Sequence, residues 1–325
     1  MRTIRWGILS TGTIARNFAE TAARMGGEID ILAVASRSMA SAEAFAECYG
    51  IARRYDSYEA LAADPDVDIV YVATPHSRHF EDMKLLIAHG KHILCEKSFT
   101  TDAAQAREIF RLAGEKGVFV MEAFWTKLCP LYRQIERVIA DGMIGEIRAV
   151  TAQYGYQTAR QARKFDAQLA GGTLLDIGVY AIGFACMLLG YAPDEVQSRL
   201  IMNDQGTDAT DAVMLRSGSA IAQLTCAIGA TMPTHAAVFG TKGRIDIPDF
   251  KNPQRATVIT DDGAQIVLEH AFEVNGFEYE LREAQDCVRA GRLHSDVITP
   301  EQTIAVMALM DTVRAQSGLR FPFEA

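Results

Sequence analysis

Near its beginning the chain reads Ile4-Arg5-Trp6-Gly7-Ile8-Leu9-Ser10-Thr11-Gly12-Thr13-Ile14-Ala15, which predicts a strand, a tight turn and the start of a helix. Gly12 lets the main chain approach a pyrophosphate closely, and the helix presents unpaired N–H groups and the positive end of its dipole. The match to G-x-G-x-x-[GA] is incomplete because Ser10 replaces the first glycine. The stretch therefore predicts a dinucleotide site, and the alternative is an ordinary strand–turn–helix of an α/β core.

Apolar strands alternate with amphipathic helices through the first third of the chain. The predicted strands are Arg5–Leu9, Ile29–Ala35, Val67–Ala73, His92–Cys95 and Val118–Met121. The predicted helices are Ile14–Arg24, Ala40–Tyr49, Tyr58–Ala63, His79–His89 and Ala103–Lys116. This alternation is typical of βαβ units with right-handed crossovers. We expect an α/β fold with a doubly wound parallel sheet.

The pattern changes after about Ala123, where short alternating stretches predict a mostly antiparallel sheet. Its predicted strands are Ile147–Tyr156, Val196–Met202, Ala212–Leu215, Ala220–Ile228, His235–Phe239, Arg244–Ile247 and Ala256–Thr260. The predicted helices are Leu131–Ala140, Thr173–Leu189, Tyr279–Ala290 and Glu301–Ser317. We expect a cofactor domain over residues 1–124 and an α+β domain over 125–325, with the last helix a candidate to pack back on the first domain.

Composition excludes several classes of partner. The 325 residues carry a net charge of -9, which provides no electrostatic footprint for nucleic acid or an anionic membrane. No stretch is predicted to span a bilayer. The six cysteines are scattered without a C-x-x-C pair, so we expect reduced core residues and a cytoplasmic protein.

The end of the second strand indicates which dinucleotide is bound. NAD sites place a carboxylate there for the ribose 2′-hydroxyl, whereas an arginine accommodates the 2′-phosphate of NADP. This strand ends Val34-Ala35-Ser36-Arg37-Ser38, without a carboxylate. A guanidinium binds phosphate through charge-assisted hydrogen bonds. NADP (NADPH) is favoured over NAD, and the alternative for Arg37 is a solvated turn residue.

Polar residues follow two neighbouring parallel strands, where open α/β sheets bind ligands. Thr74-Pro75-His76 follows the third strand, and Glu96-Lys97 follows the next, so an ammonium is expected near the crevice. The alternative is a surface lysine at the start of a loop. His76 and His79 lack further ligands at suitable spacing, and no metal site is predicted.

A third constellation is Gly171-Gly172-Thr173-Leu174-Leu175-Asp176-Ile177-Gly178-Val179-Tyr180. On a helix, Asp176 and Tyr180 are four residues apart and share a face. A carboxylate and a phenol on an otherwise apolar helix are costly to bury without a partner or a function. They are candidates for chemistry, and the alternative is a structural hydrogen-bonded pair.

Taken together, these motifs resemble the Gfo/Idh/MocA (glucose–fructose oxidoreductase / inositol 2-dehydrogenase) family, and most closely its dimeric dihydrodiol dehydrogenase branch. The residues that carry the resemblance are Gly7–Ala15, Ala73-Thr74-Pro75, Cys95-Glu96-Lys97, Met121-Glu122-Ala123-Phe124-Trp125-Thr126, Gly171–Tyr180 and Gly240-Thr241-Lys242-Gly243. They occur in order along the whole chain.

The resemblance implies an N-terminal Rossmann domain and a C-terminal domain with an open sheet. It also implies that this sheet forms the interface of a homodimer or higher homo-oligomer. It implies that Lys97 contacts nicotinamide ribose and substrate, that Asp176 orients the substrate, and that Tyr180 is the acid/base. Two residues depart from the pattern: Ser98 replaces the proline of Glu-Lys-Pro, and Tyr180 replaces the histidine of many members.

We therefore expect an NADP-dependent oxidoreductase that transfers hydride to or from a secondary alcohol or ketone of a sugar, polyol or cyclic trans-dihydrodiol. The alternatives are a keto-sugar (anhydrofructose-type) reductase and a non-catalytic NADP-sensing protein of the same fold. The expected cofactor contacts are Ser10, Thr11, Gly12, Thr13, Ile14, Ser36, Arg37, Ser38, Thr74, Pro75, His76, His79, Glu96 and Lys97. The expected substrate contacts are Lys97, Trp125, Asp176 and Tyr180.

Overall fold

The computed structural model describes residues 3–157 and 162–324. It contains two β-sheets. The chain divides into two units: Met1–Trp125 with Glu273–Thr303, and Thr126–Phe272 with Ile304–Ala325. This division differs from the predicted second domain over residues 125–325, because Glu273–Thr303 belongs to the first unit.

Parallel strands form the sheet of the first unit. They are β1 (Arg5–Leu9), β2 (Asp30–Ala35), β3 (Arg53–Tyr55), β4 (Ile69–Val72), β5 (His92–Glu96) and β6 (Val120–Ala123). Their order is β3-β2-β1-β4-β5-β6 with every pair parallel, which confirms the predicted doubly wound α/β fold. The order reverses between β1 and β4, and the carboxyl ends at such a switch point are where these sheets bind ligands.

The helices that follow the strands differ in how they begin. The α-helices are α1 (Thr13–Arg24), α2 (Met39–Tyr49), α3 (Tyr58–Ala62), α4 (His76–Ala88), α5 (Ala103–Lys116), α6 (Pro130–Ala140), α7 (Val179–Leu189), α8 (Glu278–Arg289) and α9 (Pro300–Ser317). Helices α2 and α5 begin at Ser38 and Asp102, whose side chains accept main-chain N–H groups. Helices α1 and α4 begin at Gly12 and Pro75 without a side-chain cap.

Polar contacts explain why α8 belongs to the first unit. Trp6 Nε1 of β1 donates to Gln285 Oε1 at 3.4 Å, and Gln285 Nε2 donates to the Glu28 carbonyl at 3.0 Å. Arg282 forms an ion pair with Glu28 at 2.8 Å. An amphipathic helix distant in sequence thus supplies hydrogen-bond partners that β1 and the α1–β2 connection do not provide themselves.

The second unit contains a mostly antiparallel sheet, as predicted. Its strands are β7 (Ile147–Tyr156), β8 (Glu195–Met202), β9 (Asp208–Ser217), β10 (Ala220–Ile228), β11 (Met232–Gly240), β12 (Gly243–Pro248), β13 (Arg255–Thr260) and β14 (Gln265–Glu269). The order is β14-β13-β12-β11-β7-β10-β9-β8, and β7 pairs with β10 in parallel. Buried side chains such as Val150, Ala222 and Val238 define its core face.

One apolar segment meets the length and composition of a membrane span, contrary to the expectation that none would. This segment, Ala167–Leu189, has 23 residues, and 78% of its most apolar window is buried within the protein. Its central part is a π-helical turn, Leu174–Gly178, that leads into α7. The predicted single helix over Thr173–Leu189 is therefore interrupted at the turn that carries Asp176.

Candidate active site

The turn between β1 and α1 takes the conformation that a dinucleotide motif requires, although its first glycine is absent. Ser10 has a φ of 88°, in the left-handed region that favours glycine. Its N–H donates to the Ala35 carbonyl at 2.9 Å, and its hydroxyl accepts from Gly12 N–H at 3.4 Å. The serine side chain thus supports the turn that its own main chain forms.

The start of α1 fits an anionic group. Gly12 is exposed, and a Cβ placed on it would meet Ser10 Oγ only at 3.7 Å, an ordinary contact. The surrounding chain therefore does not require glycine here, and the free space suits the close approach of a ligand. The first turn of α1 contains no acidic residue, so its main-chain N–H groups are compatible with a pyrophosphate.

At the end of β2, Ser36 is buried, whereas Arg37 and Ser38 are exposed. Ser38 Oγ already caps α2 by accepting from Ser41 N–H at 3.3 Å. Burial raises the pKa of Tyr58, and the charges of Arg37 and Arg78 oppose that shift. Because its side chain is exposed, Arg37 is a solvent-accessible cation at the position where the sequence predicts the 2′-phosphate.

His79 holds together the two loops that follow β4 and β5. Its side chain is fully buried, with Nδ1 2.9 Å from the Ser98 carbonyl and Nε2 2.9 Å from the Thr74 carbonyl. Burial lowers its pKa. The ring therefore has no exposed atom for the predicted cofactor contact, and it positions Thr74 and Ser98 instead. His76, at the start of α4, is half-buried.

Glu96 and Lys97 are adjacent at the end of β5, but their side chains differ in burial. The Glu96 carboxylate is buried and accepts a hydrogen bond from the Tyr71 hydroxyl, whereas Lys97 is half-buried. Burial raises the pKa of Glu122 on β6 to about 7, and the charge of Lys97 opposes the shift. The peptide bond between Lys97 and Ser98 is cis.

Trp125 lies at the end of the first unit and is buried against another aromatic ring. It stacks on Phe277 with ring centroids 4.6 Å apart. Most of its surface is therefore already covered within the protein.

In the second unit, Asp176 is held by two residues that the sequence analysis did not single out. The Tyr156 hydroxyl donates to Asp176 Oδ2 at 2.5 Å, and Lys164 Nζ donates to the same oxygen at 2.9 Å. Lys164 also donates to the Tyr156 hydroxyl. We call Tyr156, Lys164 and Asp176 the aspartate cluster.

Tyr180 lies one turn beyond Asp176, in the first turn of α7, and is buried. Its ring meets Tyr154 edge-on, with centroids 6.4 Å apart.

Tyr156 was detectable in sequence only as the end of an alternating strand. Lys164 has no local signal, because its contact with Asp176 arises from tertiary structure.

In the described residues, no group of three or more His, Cys, Asp or Glu side chains is arranged to hold a metal ion.

Comparison with known proteins places the chain among oxidoreductases. Residues 4–124 match the oxidoreductase family with an NAD-binding Rossmann fold, and residues 132–246 match the Gfo/Idh/MocA C-terminal domain. Trans-1,2-dihydrobenzene-1,2-diol dehydrogenase of Xenopus laevis is 32% identical, over 98% of this chain and 99% of the relative. The mouse protein of that name is 34% identical, over 98% of each chain.

A solved structure is similar over the same extent. A 3-ketoreductase from Actinomadura kijaniata, in complex with NADP and TDP-benzene, matches with a TM-score of 0.89 and 29% identity, over 97% of this chain and 98% of that one. The predicted resemblance is confirmed: the chain belongs to the Gfo/Idh/MocA family of oxidoreductases and is a dehydrogenase or reductase with an NAD(P)-binding Rossmann fold.

Proposed function

We propose that the protein is an NADP-dependent oxidoreductase acting on a secondary alcohol or ketone of a sugar, polyol or cyclic trans-dihydrodiol. The observation that carries the proposal is the buried Tyr180 phenol one helical turn from the ion-paired Asp176 carboxylate. The names of the relatives, a dihydrodiol dehydrogenase and a 3-ketoreductase, support this substrate class.

The proposed roles follow from the chemistry of the side chains. Tyr180, as the phenolate, accepts the hydroxyl proton when the alcohol is oxidised, and as the phenol it returns that proton when the carbonyl is reduced. Asp176 accepts a hydrogen bond from a substrate hydroxyl and so orients the reacting carbon. The Lys97 ammonium stabilises negative charge on the substrate oxygen. The nicotinamide, when bound, supplies the hydride acceptor or donor.

Cofactor binding is assigned to the first unit. The main-chain N–H groups from Thr11 to Ile14 bind the pyrophosphate, because α1 begins there without a side-chain cap. The exposed Arg37 guanidinium binds the 2′-phosphate. The solved 3-ketoreductase is in complex with NADP, which supports this choice of dinucleotide.

A substitution at Tyr180 tests the function. Wild-type protein is screened with NADPH and a panel of keto-sugars, and with NADP and a panel of polyols and trans-dihydrodiols, by nicotinamide absorbance. Tyr180→Phe should lower kcat by about 10²–10⁴-fold, because general acid–base catalysis contributes that much. It should leave NADPH binding nearly unchanged.

Tyr191→Phe is the matched control, since it makes the same chemical change just beyond the end of α7. An unchanged kcat in Tyr180→Phe contradicts the assignment of the acid/base. A wild-type protein that binds NADPH but turns over no substrate favours the sensing alternative over an enzyme.

The 3-ketoreductase relative favours one alternative within the same chemistry, namely reduction of a keto-sugar as the physiological direction. The same residues perform it, since Tyr180 then donates rather than accepts the proton. The ratio of kcat/KM for the best ketone with NADPH to that for the best alcohol with NADP distinguishes the two directions.

We also propose that the second unit mediates homo-oligomer formation. Strand register puts Ile221, Phe239 and Val267 on one face of its sheet, where they are 41%, 37% and 46% exposed. Exposed apolar side chains on one sheet face are typical of an interface between chains. A second copy of this chain is the proposed occupant.

A further inference from the structure

Lys164 is the strongest additional feature of the site, because it forms an ion pair with Asp176. We propose that Lys164 is a positioning residue: it holds the Asp176 carboxylate ionised and oriented for substrate. The inference deepens the proposed function, on which it rests, by adding a residue that no sequence motif indicated.

The contacts of the aspartate cluster converge on one atom. Lys164 Nζ and the Tyr156 hydroxyl both donate to Asp176 Oδ2, at 2.9 and 2.5 Å. The Lys164 and Asp176 side chains are 18% and 20% exposed. A pair four-fifths buried is screened by solvent and salt far less than a surface pair. Two donors on one oxygen also fix the plane in which the carboxylate lies.

The main chain holds Lys164 and Asp176 in register with each other. Gly172 N–H donates to the Lys164 carbonyl at 2.8 Å, and Asp176 N–H donates to the Gly172 carbonyl at 3.3 Å. A Cβ on Gly171 would lie 2.6 Å from the Lys164 carbonyl oxygen, so only glycine permits this approach. The main chains of both members of the ion pair are therefore fixed by hydrogen bonds to the Gly171-Gly172 segment. The contact between Lys164 and Asp176 thus does not depend on the conformation of a flexible surface side chain alone.

The neighbouring phenols cannot replace the lysine. Burial raises the pKa of Tyr154 to about 12 and also raises the pKa of Tyr156, on which the Asp176 charge acts in the same direction. Both phenols are therefore neutral at pH 7 and donate hydrogen bonds without supplying charge. The charge of Arg163 also acts on Tyr156, and Lys251 Nζ lies 5.5 Å from the centroid of the Tyr154 ring. Lys164 is a cation in direct hydrogen-bond contact with the carboxylate.

The test compares Lys164→Met with Lys164→Arg, and uses Arg163→Met as the matched control. Arg163 is an exposed cation in the same 3-10 turn. With the best substrate from the screen, Lys164→Met should lower kcat about 10- to 100-fold, because a misplaced orienting group costs that much. Lys164→Arg should recover most of the loss, and Arg163→Met should lose much less activity than Lys164→Met, because Arg163 acts on the cluster only through its charge on Tyr156.

Two readouts separate positioning from a merely structural role. NADPH binding should stay close to wild type in Lys164→Met. The acid limb of its kcat/KM profile should move to higher pH, because removing a cation favours the protonated form of a carboxylate. Wild-type kcat in Lys164→Met, or a loss of kcat that Lys164→Arg does not recover at all, overturns the proposal.

A measurement that does not need turnover keeps the inference separate from the proposed function. The protein is labelled with ¹³C at aspartate carboxyl carbons, and Asp176→Asn identifies the Asp176 signal. The titration midpoint of that signal should rise in Lys164→Met and shift less in Arg163→Met. If wild type turns over no substrate, the proposed function fails, and an unchanged midpoint in Lys164→Met then overturns the role of Lys164 as well.

Discussion

At the scale of single residues, Arg37 decides which dinucleotide the protein is expected to prefer. Its exposed guanidinium follows β2, and no carboxylate stands beside it in Ser36-Arg37-Ser38. Arg37→Asp replaces the cation proposed to bind the 2′-phosphate with an anion that would repel it. We expect kcat/KM with NADPH to fall about 10- to 100-fold, the worth of a hydrogen bond to a charged group. The ratio of NADH to NADPH activity should rise.

Arg54→Asp is the control for this substitution. Arg54 is also exposed and lies on β3 of the same sheet, so it reports any effect of net charge alone. Steady-state kinetics with both cofactors measures the outcome. An unchanged ratio of NADH to NADPH activity in Arg37→Asp would show that other residues bind the 2′-phosphate.

Ser10 shows how far one position can depart from a motif without changing its geometry. A left-handed φ in a residue with a side chain costs about 1 kcal/mol or more. The serine hydroxyl offsets part of this cost by accepting from Gly12 N–H. Sequence comparison treats Ser10 as a mismatch, whereas the structure gives the main chain there the conformation expected of the glycine.

At the scale of elements, α8 carries two buried glutamates with opposite surroundings. Glu278 accepts the main-chain N–H groups of Val274, Asn275 and Gly276 at 2.6–3.1 Å. Glu280 is equally buried, but neither of its carboxylate oxygens has a hydrogen-bond partner. Burial and then the charge of Glu96 raise the pKa of Glu280 well above its usual value.

The sign of the resulting pH dependence follows from this raised pKa. The folded state binds the Glu280 proton more tightly than the unfolded state, so stability falls as pH rises above the unfolded pKa of about 4.3. Glu280→Gln imitates the protonated acid and removes that loss. We expect wild-type stability at pH 4, and a higher unfolding free energy than wild type at pH 8.

Glu278→Gln, two residues away, is the matched control for Glu280→Gln. Its amide cannot accept all the hydrogen bonds that the carboxylate accepts, so it should destabilise the protein by about 1–3 kcal/mol at pH 7. Denaturant unfolding at pH 4, 6 and 8 measures both variants. A Glu280→Gln variant whose stability parallels wild type at every pH would show that Glu280 does not titrate in this range.

Several elements were predictable only in part from local sequence. Strand β3 has three residues, Arg53-Arg54-Tyr55, without an apolar run, and its Arg53 forms ion pairs with Asp64 and Asp66 at 2.6 and 2.7 Å. Strand β14 is an edge strand with mostly exposed residues. Both are formed by pairing with a neighbouring strand, and pairing leaves little signal within the segment itself.

At the scale of the whole molecule, the exposed face of the second sheet yields a test of oligomeric state. The double variant Ile221→Asp, Phe239→Asp places charges on that face, and like charges facing each other across a symmetric interface repel. Analytical ultracentrifugation should show a smaller species than wild type. Leu293→Asp is the control, because Leu293 is 41% exposed and lies outside the sheet. A monomeric wild type would refute the proposed oligomer.

The alternation of strands and helices, the parallel first sheet, the family and the enzyme class followed from the sequence, because periodicity and motif spacing are local properties of the chain. Tertiary structure alone decided that α8 joins the first unit, that His79 is buried between two carbonyl groups, and that Lys164 and Tyr156 hold Asp176. These contacts join residues separated in sequence, and their free energy depends on burial and distance. No local pattern encodes either quantity.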